Sequence, residues 1–423
     1  MKISIFKFKS IFIFLFIFIS ILYLYTNQIQ PDNEYVGMKS IVYNFRFFTM
    51  LIFHFILIIF LIRYKNTLII NFINLYLLFV IIWFLIFFDL VGEVELKHYL
   101  LLLTIYLIPI IIFKLLSNSI FNFNKNLNLI IPRVKLPLFV SLEIILTIIL
   151  IFNILLIGSL LSLNFDYASS YSRRSLGYEM ISGFTAYIFS MSLNGIAPYL
   201  AFLSIFKKKY IYFFISLLFT IMSFGFIGTK APIFYTLIFA FLGFIISSRS
   251  FNVSYFMLKV IFLVLFVSVV EYLIFNYSLV ADIIVRRAFI VVSQNQIYFI
   301  DYFFNYFDFY DWIFGKGKDI TYIVGDIYHI FPNTNANVNA FLYEIGRNGI
   351  FGFIIMNIFL LIFFTILDYI YKKYNKKEIL GVGILYVILL FEQSYSTAFV
   401  TSGIGLITIL TILAINIKEE NGK

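Results

Sequence analysis

Uninterrupted apolar runs of close to twenty residues recur along the whole sequence. A helix of about 20 apolar residues crosses the ~30 Å hydrocarbon layer of a bilayer. Such a helix also pairs its own backbone N–H and C=O groups, as the absence of water in the bilayer requires. The runs predict about twelve transmembrane helices, with a range of about 11 to 13 because the eleventh run is short. They lie at 8–25, 41–62, 67–88, 99–114, 138–163, 182–206, 210–226, 231–247, 256–278, 349–367, 379–391 and 400–417.

The composition agrees with an all-α polytopic membrane protein. Hydrophobic residues make up 62% of the 423 residues and charged residues only 12%, about half the share in a soluble domain. A transmembrane barrel is disfavoured, because its strands would alternate in polarity over segments of about ten residues. No stretch has the composition of a soluble domain, so residues 1–423 are predicted to form a single integral membrane domain.

Motifs for metals and cofactors are missing from the sequence. There is no cysteine, which excludes disulfides, thiolate metal sites and cysteine nucleophiles. The three histidines His54, His98 and His329 are too scattered to predict a metal site. No nucleotide-binding glycine motif occurs. We therefore expect neither a cofactor nor a metal, and we attribute the net charge of +10 to membrane orientation and not to nucleic-acid binding.

Basic residues predict the orientation of the chain. The first run begins with lysines but has no small-residue cleavage site after it, so we interpret it as a retained span. An even number of spans places both termini on one side, and most of the 31 Lys and Arg residues fall on that side. Because basic residues favour the cytoplasm, the N and C termini are predicted to be cytoplasmic.

Two outer connections are long enough to carry function: residues 164–181 and the larger loop 279–348. Basic residues in or beside the outer connections oppose the orientation rule and need another explanation. The guanidinium group offers a planar fork of donors that matches phosphate oxygens. The predicted anion-binding residues are Arg173, Arg174, Lys230, Arg286, Arg287 and Arg347.

The larger loop is also rich in aromatic and amide side chains. Residues 297–313 are predicted to form a helix at the membrane interface, with Asp301, Asn305 and Asp308 on its wetter side. The loop contains aromatic rings, which can stack on sugars, and amides, which can hydrogen-bond to sugar hydroxyls. A ligand with both phosphate and sugar would therefore match the side chains of the outer loops. The predicted sugar-binding residues are Asn335, Asn337, Asn339, Tyr302, Tyr306 and Trp312.

Three short motifs resemble a known family. The segment from Asn335 to Leu342 reads Asn-Ala-Asn-Val-Asn-Ala-Phe-Leu, and Gly349-Ile-Phe-Gly352 follows it. This order is similar to the end of the large periplasmic loop in O-antigen (Wzy-type) repeat-unit polymerases. Phe224 to Pro232 resembles that family's short outer turn, and Arg286 or Arg287 resembles the arginine that begins its large loop.

The resemblance implies a GT-C-like membrane glycosyltransferase in the bacterial inner membrane. Its members polymerise undecaprenyl-pyrophosphate-linked oligosaccharides at the periplasmic face, for O-antigen or a related surface polysaccharide. The reaction needs no metal or nucleotide sugar, and lipid pyrophosphate is the leaving group. A chain-length regulator and a flippase are the implied protein partners, besides membrane lipid.

Departures from the family pattern leave alternatives open. Lys230 stands where arginine is common, and Val338 stands where the related O-antigen ligases have a histidine. The alternatives are a ligase that transfers glycan to lipid A core and a non-enzymatic flippase or transporter of the lipid-linked unit. The candidate proton acceptors are His329 and Glu344. A helical ion pair between Glu344 and Arg347 is the competing interpretation for these two residues.

Overall fold

The computed structural model describes residues 2–41, 45, 48–49, 51–52, 54, 68–84, 95–126, 141–166, 169–247, 253–317, 319–330 and 334–419. Within these ranges the secondary structure is helical and no strand occurs. The predicted span at 41–62 lies almost entirely outside the described residues. Each of the other predicted spans overlaps at least one described helix, and the predicted span 182–206 contains two α-helices joined by a π-helical turn.

The helices are numbered here in chain order. They are α1 Lys2–Leu24, α2 Leu68–Phe84, α3 Leu96–Asn126, α4 Leu142–Gly158, α5 Ser170–Met180, α6 Gly183–Met191, α7 Ala197–Phe206, α8 Tyr210–Ile227, α9 Ala231–Ile246, α10 Val253–Phe275, α11 Val291–Tyr306, α12 Phe309–Phe314, α13 Ile320–Tyr328, α14 Ala340–Tyr374, α15 Glu378–Leu390 and α16 Ile404–Glu419. Shorter helical segments are the π-helical turns Tyr25–Ile29, Ser192–Ile196, Ala281–Ile290 and Thr397–Thr401, the α-turn Gln30–Asp32 and the 3₁₀ turn Glu34–Val36.

Six of the described helical segments are long and apolar enough to cross a membrane. The described residues are therefore all-α and have the character of a multi-pass membrane protein, while the number of crossings stays a prediction. The six segments are Ile11–Asn33, Leu96–Phe113, Gly183–Phe206, Tyr210–Ile227, Tyr255–Phe275 and Ala340–Tyr374.

The chain divides into two compact units. The first unit contains residues 1–120, 252–363 and 391–394, and the second contains residues 121–251, 364–390 and 395–423. Neither unit is continuous in sequence, which is a division that the apolar runs alone do not indicate.

Aromatic side chains build the core of the first unit. Helix α1 packs against α10, with the rings of Phe16 and Phe262 4.5 Å apart. Tyr76 on α2 is buried and contacts the rings of Tyr106 and Phe341. The loop residues 279–348 are largely helical and contribute α11, α12 and α13 to this unit.

Helix α7 is the centre of the second unit and is buried along most of its length. It packs against α4, α8, α9 and α15. Two glycines permit this close packing. A Cβ on Gly243 would lie 2.5 Å from the carbonyl oxygen of Phe202, and a Cβ on Gly381 would lie 2.4 Å from the Phe202 ring. Small residues at such positions let helices approach closely, which is common in membrane proteins.

Some helices present apolar faces outward. On α8 the side chains of Ile211, Phe214 and Leu218 follow one face at helical spacing, and each is more than half exposed. In water such a continuous apolar face would be unfavourable, whereas lipid tails solvate it. The exposed faces therefore agree with the membrane interpretation of the sequence.

The predicted interface helix is broken in two. Helix α11 ends at Tyr306, and α12 begins at Phe309 with a capping box between Asp308 and Asp311. Because Asp308 accepts a hydrogen bond from the Asp311 backbone, it starts a new helix and does not continue the old one. The prediction of one helix over 297–313 is therefore wrong, although Asn305 and Asp308 are exposed as expected.

Candidate functional site

The second unit brings the Arg173-Arg174 pair together with the short turn at residues 228–230. We call Arg173, Arg174, Thr229 and Lys230 the arginine cluster. The turn has a left-handed residue, Gly228, with φ of +78°, and a Cβ there would lie 2.3 Å from the carbonyl oxygen of Ser170. Glycine at this position lets the turn lie directly on the first residue of α5.

Arg173 is 9% exposed, and its guanidinium is held from one side. Its Nη1 donates to the carbonyl oxygen of Asp166 (2.7 Å) and to the hydroxyl of Ser169. The guanidinium also lies over the ring of Phe224, 5.7 Å from the ring centre. Within the described residues, the buried Nε and Nη2 have no hydrogen-bond partner. These two atoms form the edge that binds two oxygens of one phosphate.

The other members of the cluster are also basic or polar. Nη2 of Arg174 donates to the carbonyl oxygen of Gly228 (3.4 Å), so Arg174 adjoins the turn. Lys230 is the residue before α9, whose Pro232 is within its first turn. The N terminus of a helix of this length carries a partial positive charge. The hydroxyl of Thr229 is buried and has no hydrogen-bond partner in the described part of the chain.

An apolar cavity of about 300 Å³ adjoins the cluster through Gly177 and Thr229. Gly177 lies three residues after Arg174, so the two share a face of α5. The lining is mainly hydrophobic, with a few polar groups, and consists of Gly177, Ile181, Ala186, Tyr187, Phe189, Ser190, Leu193, Asn194, Ile227, Thr229 and Thr401. A cationic cluster beside an apolar cavity suits a ligand with an anionic head and an apolar stem.

The first unit places His329 in a cluster of polar side chains at the end of α13. Nε2 of His329 lies 3.1 Å from Oδ1 of Asn295, and the ring meets Tyr298 edge-on with the ring centres 5.4 Å apart. We call His329, Asn295, Tyr298 and Asn337 the imidazole–amide cluster. Partial burial lowers the pKa of His329 from its usual value of 6.5, so the ring is neutral at pH 7.

Backbone contacts fix the position of this cluster. Nδ2 of Asn295 donates to the carbonyl oxygen of Asn337 (2.9 Å), and the backbone N–H of Ala336 donates to the Thr321 carbonyl. A Cβ on Gly325 would lie 1.7 Å from the carbonyl oxygen of Thr334. Because Gly325 has no side chain, the segment 334–339 lies directly on α13.

A second group of contacts centres on Asp301. Its carboxylate accepts hydrogen bonds from the hydroxyl of Tyr328 (2.5 Å) and from Nδ2 of Asn305 (3.0 Å). Its other oxygen lies 3.2 Å from Nε2 of the buried His98. The carboxylate also raises the pKa of Tyr328, after burial as the larger cause. Asp301 thereby connects α3, α11 and α13.

Sequence reasoning missed Asn295, Tyr298 and His98 as members of these clusters. A signal for part of the group exists, because Gln294, Tyr298, Asp301 and Asn305 are spaced by four, three and four residues. Residues at this spacing lie on one face of a helix. No signal in the sequence points to His98, which is 203 residues from Asp301.

The other predicted cations have different surroundings. Arg286 forms an ion pair with Asp282 one helical turn earlier, with Nε 2.7 Å from the carboxylate oxygen. Arg287 is exposed in the same π-helical turn. Arg347 lies over the ring of Tyr343 (5.9 Å), and its carbonyl accepts from Gly317. The charge of Arg286 is therefore matched inside the protein by Asp282.

Glu344 does not form the ion pair with Arg347 that its spacing suggested. Its Oε2 accepts from Nδ2 of Asn348 (2.8 Å), and the residue is 1% exposed. A carboxylate enclosed in this way is poorly placed to contact a sugar hydroxyl. The structure therefore favours His329, which is only half-buried, as the proton acceptor of the two candidates.

Two predicted sugar-binding residues belong to the protein core instead. Asn339 is fully buried, and its Oδ1 accepts from the backbone N–H groups of Phe341 and Leu342 as the cap of α14. Tyr302 is 4% exposed and stacks on Tyr306. Both residues therefore have a structural role in the core, and their part in sugar binding stays a prediction.

The remaining predicted sugar-binding residues are more accessible. Asn335, Asn337 and Tyr306 are exposed, whereas Trp312 is half-buried and packs edge-on against Phe303 and Phe307. Gly349 adopts a φ of +64° and interrupts α14, and a Cβ there would lie 2.3 Å from Ile313. The Gly-x-x-Gly motif therefore begins with a glycine that the packing of the backbone requires.

Comparison with known proteins gives no match, since no protein-family model, curated protein or solved structure is significantly similar to this chain. Among the described residues, no group of three or more histidine, cysteine, aspartate or glutamate side chains is arranged to hold a metal ion. The site must therefore be interpreted from its own geometry.

Proposed function

We propose that this protein polymerises undecaprenyl-pyrophosphate-linked oligosaccharide repeat units at the periplasmic face of a bacterial inner membrane. The observation that supports this most is the buried guanidinium of Arg173, whose Nε–Nη2 edge has no partner in the described residues. An arginine buried in this state costs free energy unless a ligand binds it. A phosphate group supplies the two oxygens that match the edge.

In the proposed reaction the growing chain on undecaprenyl pyrophosphate is the donor. A hydroxyl of the sugar at the non-reducing end of a new lipid-linked unit attacks the anomeric carbon of the donor. The bond between that carbon and the pyrophosphate oxygen breaks, and undecaprenyl pyrophosphate leaves with the electron pair. Negative charge grows on the leaving group, so a positioned cation stabilises the transition state more than the ground state.

The cavity beside the arginine cluster supports a lipid-linked ligand over a free phosphate. Its lining of Ile181, Phe189, Leu193 and Ile227 would accept the first isoprene units of the lipid. The aromatic and amide side chains of residues 279–348 supply groups suited to the sugars. The resemblance of the Asn-rich segment and Gly349-Ile-Phe-Gly352 to the polymerase family agrees with the same assignment.

The experiment uses a strain from which this gene has been deleted. The surface glycan of that strain tests the proposed function, and the strain also supplies the substrate. The polymerase assignment predicts that the mutant surface glycan carries a single repeat unit on its acceptor, and that the lipid-linked unit accumulates. Loss of every attached unit would instead indicate the ligase or the flippase. The accumulated lipid-linked unit can be extracted and given to purified protein, which should lengthen it in the presence of EDTA.

Variants of Arg173 then test the anion site. Arg173→Ala should abolish polymer formation, and Arg173→Lys should lower the rate about ten- to hundredfold, because lysine keeps the charge but loses the two-donor edge. Lys97→Ala is the matched control, since it removes an exposed charge that pairs with the neighbouring Glu95 and lies over the ring of Phe304. Full polymerisation by folded Arg173→Ala protein would contradict the proposal.

A further inference from the structure

The amide of Asn295 can face His329 in only one orientation. Its Nδ2 donates to the backbone carbonyl of Asn337 at 2.9 Å, and a carbonyl only accepts hydrogen bonds. The amide nitrogen is therefore committed to Asn337, and Oδ1 is the atom that faces His329 at 3.1 Å. Since Oδ1 also only accepts, Nε2 of His329 must carry the hydrogen.

This orientation determines where the lone pair of the neutral imidazole lies. With the hydrogen on Nε2, the lone pair is on Nδ1, which is the nitrogen able to take up a proton. Burial keeps Asn295 at 4% exposed, so its amide cannot easily turn over. His329 is half-buried, which leaves the ring accessible from one side.

The phenol beside the ring does not compete for this role. Tyr298 meets the ring of His329 edge-on. The hydroxyl of Tyr298 accepts from Nε2 of Gln294, and its own pKa is raised by burial, so it is neutral. The ring of Tyr328 stacks on the ring of Tyr298, with the two ring centres 5.0 Å apart.

We infer that Asn295 is a positioning residue that holds His329 in its Nε2–H tautomer, so that Nδ1 acts as the general base toward the acceptor sugar hydroxyl. The inference rests on the proposed function for its catalytic part. In the step, the proton of the attacking hydroxyl moves to Nδ1 while the oxygen bonds to the anomeric carbon and lipid pyrophosphate departs. The imidazolium that results keeps its Nε2–H bond to Asn295.

The tautomer can be measured without any activity. The chain has only three histidines, so protein labelled with ¹⁵N-histidine gives three imidazole signal pairs in solid-state NMR. The His329→Gln variant assigns the pair that disappears. At pH 8 we expect His329 to show a protonated Nε2 and an unprotonated Nδ1, and Asn295→Leu to give a mixture. A protonated Nδ1 in the wild type would overturn the inference.

The kinetic test uses the extracted lipid-linked unit and a range of pH values. We expect His329→Ala to lower kcat about 100-fold or more, with KM little changed. Asn295→Asp places a carboxylate beside Nε2, which favours the imidazolium, so the acid limb of the pH–rate profile should move upward by about one pH unit. A merely structural role of Asn295 would lower the rate at every pH without moving the limb.

The two measurements separate the inference from the proposed function. If the wild type forms no polymer, the proposed function and the catalytic role of His329 fail, while the NMR spectrum still confirms or overturns the role of Asn295. If the wild type is active and folded His329→Ala is equally active, the proposed function stands and the inference is overturned.

Discussion

Asn339 is fully buried at the start of α14. Its side chain accepts hydrogen bonds from two backbone N–H groups of the first turn, and it donates to the hydroxyl of Tyr106. A side chain with these contacts stabilises the fold, because the first N–H groups of a helix otherwise lack partners.

Replacement of Asn339 by alanine is therefore expected to lower the free energy of unfolding by about 1 kcal/mol or somewhat more. The measurement is thermal unfolding of the purified protein in detergent. Asn335→Ala is the control, since Asn335 is exposed in the same segment and should unfold at the wild-type temperature. Equal melting temperatures for the Asn339 variant and the wild type would show that the cap contributes nothing.

Among the elements, the turn between α8 and α9 determines the geometry of the arginine cluster. Gly228 combines a left-handed backbone with contact to the Ser170 carbonyl. Alanine at this position would be strained in the left-handed backbone conformation. Its Cβ would also lie 2.3 Å from the Ser170 carbonyl oxygen, so either the turn or the start of α5 must move.

Gly183→Ala is a matched control for Gly228→Ala in the same unit. Gly183 also has a positive φ, of +58°, but a Cβ there meets nothing within 4 Å among the described atoms. We expect Gly183→Ala to cost about 1 kcal/mol and Gly228→Ala clearly more, with loss of polymer formation only in the latter. Similar melting temperatures and similar activity of the two variants would contradict a role for the turn in placing Arg173.

The elements also show what the sequence could and could not predict. The apolar helices were predictable because a run of apolar residues is a local property, and α8 and α9 begin and end within a residue of the predicted limits. The burial of Arg173 was not predictable, since it depends on contact between α5 and α8, whose Phe224 follows Arg173 by more than fifty residues. The pairing of His98 with Asp301 is equally non-local, across 203 residues.

The sequence predicts Asn339 and Tyr302 as sugar-binding residues for a related reason. Amide and aromatic side chains serve capping and core packing as well as ligand binding, and composition does not distinguish these uses. The capping role of Asn339 needed only the start of α14 to be known, whereas the burial of Tyr302 required the stacking with Tyr306. The clearest local signal for part of the clusters is the polar face of α11 from Gln294 to Asn305.

At the scale of the whole molecule, the proposed reaction requires the arginine cluster and the Asn-rich segment to lie on the periplasmic side. Positive charges on that side oppose the orientation rule, and an anionic ligand would explain them. The chain has no cysteine, so any single introduced cysteine is its only reactive thiol. Ser172 beside Arg173, Asn335 and Lys373 are exposed and suit this purpose.

Labelling of these cysteines with a membrane-impermeant maleimide is the most direct measurement of the central claim. In intact spheroplasts, Ser172→Cys and Asn335→Cys should be labelled, and Lys373→Cys should be labelled only after the membrane is made permeable. Polymer formation by each variant would show that the introduced cysteine leaves the protein functional. Labelling of Ser172→Cys and Asn335→Cys only after permeabilisation would place the arginine cluster in the cytoplasm and contradict a polymerase that acts at the periplasmic face.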